Sequence, residues 1–91
     1  MPSYLVETYL ARGRAGERGA RERRARSAAE EHTRSGTRVR FDGAIHIPED
    51  EICFFVFDAG SSRDAALVAQ RAGLEPFRVV EALSSREENH P

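Results

Sequence analysis

Ile47-Pro48-Glu49-Asp50-Glu51-Ile52-Cys53-Phe54-Phe55-Val56-Phe57 is the stretch on which the fold turns. Its middle, Pro48 to Glu51, is a compact polar turn between two apolar runs, the pattern of a hairpin. The run after the turn is apolar on both faces, as a central strand covered on both sides would be. The run before it starts at Thr37-Arg38-Val39-Arg40-Phe41, where polar and apolar residues alternate as in a half-buried strand, and continues through Gly43 to Ile47. A turn of this length sets Ile47 opposite Ile52, His46 opposite Cys53, Ile45 opposite Phe54 and Ala44 opposite Phe55. Strict alternation then places Val39, Phe41, Ile45, Phe54 and Val56 on one face. Arg38, Arg40, His46, Cys53, Phe55 and Phe57 fall on the other.

Outward from the hairpin, Tyr4 to Leu10 is rich in β-branched, aromatic and aliphatic residues and reads as a first strand. Gly13, Gly16 and Gly19 punctuate a loop that opens a helix, from about Glu17 to Ser35, built of Ala, Arg and Glu. Ala25, Ala28, Ala29 and His32 share one narrow face of it, and Gly36 suits the end because it accepts a left-handed backbone. After the hairpin, Ser61 with Asp64 resembles a capping box. A second helix follows, with Ala65, Val68, Ala69 and Ala72 inward and Gly73 at its end. Pro76 opens a last strand, Phe77 to Leu83. The order β-α-β-β-α-β predicts an α+β fold, the ferredoxin-like split βαβ arrangement, with a four-stranded antiparallel sheet and both helices on one face. Residues 1–84 form one domain in this reading, and 85–91 a mobile tail.

Composition narrows the function classes. The 91 residues are 40% hydrophobic and 32% charged, as in ordinary globular domains, and the net charge is −1. All basic residues are arginine, but no overall basic field draws in nucleic acid. The aromatic run Phe54 to Phe57 is like that of RNA-recognition domains. Ile52-Cys53 replaces the basic-glycine opening of that motif, and Glu49, Asp50 and Glu51 would repel phosphate. The longest apolar run, Ile52 to Phe57, is far short of the roughly 20 residues that span a bilayer. No charged-then-apolar leader precedes the first strand, so the expected location is cytoplasmic. One cysteine, Cys53, forms no intramolecular disulfide.

With both helices on one face, the other is bare unless something covers it. Leaving Phe55 and Phe57 there would expose an apolar patch whose burial is worth roughly 3–6 kcal/mol. The expected cover is a second copy, a homodimer through the sheet face of the dimeric α/β-barrel type.

That face is also the expected site. Alternation puts Glu7 with Leu5 and Tyr9, opposite Val6 and Leu10, and a carboxylate within a central strand is costly unless paired. Glu7, Tyr9, Arg40, His46 and Glu81 around a floor that includes Phe55 form the expected ligand-binding set, with the acids able to transfer a proton. A Glu–Arg pair at the dimer interface, using Arg38 or Arg40, explains the same pattern without a ligand. His46 and Cys53, expected as cross-strand neighbours, offer an imidazole and a thiolate to nickel or zinc. A buried thiol beside an edge-strand histidine is the plainer account.

Val6-Glu7-Thr8-Tyr9-Leu10, the hairpin Ile47 to Phe54, and the ending Ala72-Gly73-Leu74 to Val80-Glu81-Ala82 together resemble a small bacterial family. It is the nickel-binding-protein-like family of ferredoxin-like domains common in actinobacteria. The resemblance covers residues 4–83 and implies a dimer and, in some members, a metal site that uses histidine. Leu74 stands where the nickel-binding type would carry a histidine after the glycine closing the second helix, and Ala59-Gly60-Ser61 replaces the Ala-Pro-Ser that leads into that helix. The functional expectation is a homodimeric binding protein for a small molecule or divalent metal. Its rival is a cofactor-free enzyme, an isomerase, cyclase or oxygenase, with His46 or Glu7 as base and Tyr9 or Arg40 stabilising an oxyanion.

Overall fold

The structure, a computed structural model, describes residues 1–83; the expected tail at 85–91 lies outside the described residues. Strand β1 (Ser3–Tyr9) leads through a 3-10 turn, Arg12–Glu17, into helix α1 (Arg18–Arg34). Strands β2 (Val39–Ile47) and β3 (Ile52–Ala59) form the hairpin. Helix α2 (Ser62–Arg71) and strand β4 (Arg78–Ala82) complete the chain. The sheet is antiparallel, in the order β2-β3-β1-β4, with β3 and β1 central. The architecture is α+β with an open four-stranded sheet and two helices, compatible with the ferredoxin-like arrangement.

Local chemistry explains each boundary. Pro48 opens the short 3-10 turn of the hairpin, and Glu51 closes it in a left-handed conformation with φ 55°. Arg12 staples this turn from below: its backbone N–H donates to Glu51 Oε2 at 2.9 Å, and its guanidinium donates to the carbonyls of Pro48 and Glu49. The Ser61 hydroxyl accepts from the Asp64 N–H at 3.2 Å, the N-cap bond that starts α2. Gly73 turns the chain away from α2 at φ 71°. Thr33 ties the end of α1 to β2, its hydroxyl donating to the Val39 carbonyl and accepting from the Val39 N–H.

The core lies between the helices and one face of the sheet. Ala25, Ala28, Ala29 and His32 of α1, and Ala65, Val68 and Ala69 of α2, meet Tyr4, Val6 and Thr8 of β1, Val39 and Phe41 of β2, and Cys53, Phe55 and Phe57 of β3. Small helix residues let the helices approach closely, and the three phenylalanines fill the space, with Phe41 and Phe57 ring centres 5.4 Å apart. His32 is buried between the Asp64 carboxylate and the Arg71 guanidinium, each 3.4 Å away. No helix among the described residues is long and apolar enough to cross a membrane.

The hairpin register is the one the turn length predicts: His46 faces Cys53, Ile45 faces Phe54 and Ala44 faces Phe55. The face assignment is not. Phe55 and Phe57 are fully buried beneath the helices and do not stand on the bare face. A β-bulge between Phe41 and Gly43 is the cause. The extra residue, Asp42, reverses the parity of β2, so Val39 and Phe41 share a face with Ala44 and His46 rather than with Ile45. Gly43, at φ 138°, supplies the backbone the bulge needs.

Candidate functional site

The face of the sheet away from the helices consists of four rungs of aligned residues. Ile47, Ile52 and Tyr9 form the first, at the hairpin end. Ile45, Phe54, Glu7 and Arg78 form the second. The third is Gly43, Val56, Leu5 and Val80, and the last is Arg40, Asp58, Ser3 and Ala82. The middle of this surface is apolar and open, with Ile45 51% exposed and Phe54, Val56, Leu5 and Val80 half-buried. The bare face is apolar, as a composition of two-sided strands requires, but its phenylalanine is Phe54 and not Phe55.

Two ionic groups bound the apolar centre. Arg78 Nε donates to Glu7 Oε1 at 3.1 Å, which answers the cost of placing a carboxylate in a central strand. The partner of Glu7 is thus Arg78, rather than Arg38 or Arg40. At the opposite end, Asp58 is 7% exposed and collects three neighbours. Ser3 Oγ donates to its Oδ1 at 2.7 Å, Arg40 Nη2 donates to its Oδ2 at 2.6 Å, and Arg40 Nε also reaches Asp42 at 2.9 Å. Burial alone would raise the Asp58 carboxyl, but hydrogen bonds from Asp42, Ser3 and Arg40 outweigh it and hold it low. Asp42 goes the other way, raised by desolvation and by sharing a hydrogen bond and like charge with Asp58. Arg40 bridges the two carboxylates, donating to one oxygen of each. This group escapes a reading by alternation, because the bulge alone brings Asp42 to Asp58.

The expected ligand set does not converge. Glu7, Tyr9 and Arg40 are on the open face, with Arg40 on the rung farthest from Tyr9. His46 and Phe55 point to the helix side with Cys53 and the core. Glu81 aligns with Tyr4, whose side chain is buried in the core, so alternation sets it on the helix side of the edge strand, away from Glu7.

His46 and Cys53 are cross-strand neighbours as expected. The fit to a divalent metal is poor. Arg18 Nη1 lies 3.4 Å from His46 Nδ1 and places a cation beside the ring. Burial pushes the Cys53 thiol up, against formation of the thiolate ligand. His46 Nε2 is buried without a partner, the one orphaned side-chain polar atom among the described residues. No group of three His, Cys, Asp or Glu side chains among the described residues is placed to hold a metal. The pair also lies on the helix side, where a second copy packed on the open face would bring no further ligand.

An open α+β sandwich with one uncovered apolar sheet face and ionic ends is therefore the class that fold and site define. No family model, curated protein or solved structure matches the chain.

Proposed function

We propose that the open sheet face is the working surface of a small cytoplasmic homodimer that binds an organic ligand between its two sheets. The single observation that carries this reading is the contiguous uncovered set Leu5, Ile45, Phe54, Val56 and Val80, flanked by Glu7–Arg78 within its second rung and by the Arg40–Asp58 group on its last. With strands about 4.8 Å apart and rungs two residues apart, the footprint is on the order of 400 Å². That equals the largest apolar patches monomers tolerate, which are often functional. Two such faces bury about 800 Å², below the roughly 1,200 Å² of stable specific interfaces, so the association is weak and reversible. Packed face to face, the apolar centres exclude water while the ionic ends remain as polar anchors for a small molecule.

A second reading, a cofactor-free enzyme, draws on the Asp42–Asp58 pair. Arg40 donates to both, at 2.6 Å to Asp58 and 2.9 Å to Asp42, so the group offers a carboxylate as base with a guanidinium beside it to stabilise an oxyanion. The base in this reading is an aspartate of the bulge end, in place of His46 or Glu7. Neither reading uses a metal.

Sedimentation equilibrium tests the dimer. The wild-type protein should associate reversibly in the micromolar range, and Phe54→Asp and Ile45→Glu should each remain folded by circular dichroism and sediment as monomers. A wild-type chain that stays monomeric at several hundred micromolar ends the proposal.

A further inference from the structure

Among the described residues, Arg23, Arg26, Arg34, Arg38 and Arg63 make no side-chain hydrogen bond or ion pair, while the other arginines do. Arg12 staples the hairpin turn, Arg21 Nη1 donates to the Tyr9 carbonyl, and Arg24 Nε donates to the Ala72 carbonyl. Arg26 and Arg34, two turns of α1 apart, make no ion pair among the described residues. Both line one groove of about 570 Å³ between α1 and the edge strand β2, together with Arg40, which is ion-paired to Asp42 and Asp58, and with Glu30 as its only acid. Its floor is Ala29, Val39 and Phe41, and the Arg26 guanidinium carbon sits 5.4 Å from the centre of the Phe41 ring. That cation–π contact holds a flat, forked donor over an aromatic floor.

We propose that this groove, on the helix side of β2 and sharing Arg40 with the open sheet face, binds a small organic oxyanion with a flat apolar body. Its volume falls among those of small-molecule sites, which typically span about 300–1,000 Å³. An apolar floor with two guanidinium groups lacking a counter-ion calls for an anion attached to a hydrophobic group, which satisfies both. The free edge of β2 raises the alternative of an added peptide strand. Thr33 opposes it, because its hydroxyl already takes both the N–H and the carbonyl of Val39, the hydrogen-bonding position that faces the groove. The oxyanion, carboxylate or phosphate, is bound by the Arg26 and Arg34 forks, and the body lies along the floor beside the Arg26 guanidinium that covers the Phe41 ring.

The test is a titration of isotope-labelled protein with 2-naphthoate, followed by amide chemical shifts, beside 2-naphthamide as the uncharged isostere and inorganic phosphate as the bodiless anion. Naphthoate should bind saturably, shift residues 26–34 and 39–41, and weaken with added salt. The amide and phosphate should each bind at least about tenfold more weakly, the loss of one charge-assisted contact or of the apolar contact. Arg34→Gln, on the exposed end of the helix, should weaken naphthoate about tenfold with the fold unchanged, and Arg26→Gln likewise. Shifts that map to Ile45 and Phe54 instead, equal binding of the amide, or no saturation overturn the proposal.

Discussion

Glu7 on β1 and Arg78 on β4 face each other across one rung of the sheet, with Nε of the arginine 3.1 Å from Oε1 of the glutamate. The two are unequally placed: the Glu7 side chain is 13% exposed and that of Arg78 is 63% exposed. Removing the arginine therefore leaves a largely desolvated carboxylate beside Phe54 and Leu5. Arg78→Ala should cost about 1 kcal/mol, a value near the upper end for pairs with one solvated member. Arg63→Ala, on an exposed α2 position without an ion pair among the described residues, should be neutral. Urea unfolding of both variants settles it, and equal stabilities would show that the pair contributes nothing.

Phe54 and Phe55 are neighbours in sequence with opposite fates. Phe55 is fully buried and packs near Phe41, with ring centres 6.3 Å apart, while Phe54 looks outward. Phe55→Ala should remove about 3–5 kcal/mol, enough to bring a domain of this size close to unfolding at room temperature. Phe54→Ala, measured in dilute monomer, should lose less, about 1.5 kcal/mol, because part of its surface is already wet. The reverse order in thermal or urea unfolding would place the helices on the other face of the sheet.

How much of this was legible from the residues follows from the same pair. The element order, the hairpin register, the inward alanines of both helices and the Ser61 cap all rest on local patterns, and local patterns survive folding. Which face of β3 goes inside is a tertiary matter. Both faces of Ile52 to Phe57 are apolar, so hydrophobicity cannot choose, and the choice was carried by Val39 and Phe41 through strict alternation. One extra residue at Asp42 reverses that inference. Gly43 inside the strand was the available signal, since a strand glycine often marks a bulge, while Phe41 and Ile45 on either side of it keep an unbroken alternation. The same slip scattered the expected site, taking His46 and Phe55 inward, and concealed Asp42 beside Asp58. Arg78 as the partner of Glu7 was hidden for a different reason, since it requires the pairing of the first and last strands in register.

The two aspartates at the bulge should give stability a distinctive pH dependence. Asp58 has a folded value held below its ordinary one, so its stabilisation is complete above about pH 4, the unfolded value, and is lost as pH falls through the lower folded value. Asp42 has a raised folded value, so it penalises the folded state at neutral pH. That penalty is relieved as pH falls through the raised value and is gone below the unfolded one. Asp58→Asn should therefore cost about 2 kcal/mol at neutral pH, the scale of charge-assisted hydrogen bonds to a buried acceptor, and progressively less as pH falls below about 4. Asp42→Asn should be neutral or stabilising by a few tenths of a kcal/mol at neutral pH, because the amide keeps the hydrogen bond and removes the like charge. Unfolding curves across the acid range would show both. An Asp58→Asn deficit that persists unchanged into acid would assign its effect to packing and not to charge.

Cys53 offers the sharpest check on whether the helix side of the hairpin holds a metal. The thiol is fully buried and raised by desolvation, with Arg18 only partly opposing that shift, so it is a poor nucleophile in the folded chain. Labelling by an aromatic disulfide at mildly alkaline pH should be at least about a hundredfold slower than in urea, because the reagent must wait for the sheet to open. Its rate should then follow stability, rising in Phe55→Ala. Stoichiometric nickel or zinc should leave the rate unchanged, since His46 and Cys53 supply two donors beside a guanidinium and Cys53 would have to lose its proton first. Protection by stoichiometric metal that vanishes in His46→Ala would reverse this conclusion. Such a result would mean that Arg18 swings away from the ring and that the orphaned Nε2 of His46 is available as a ligand.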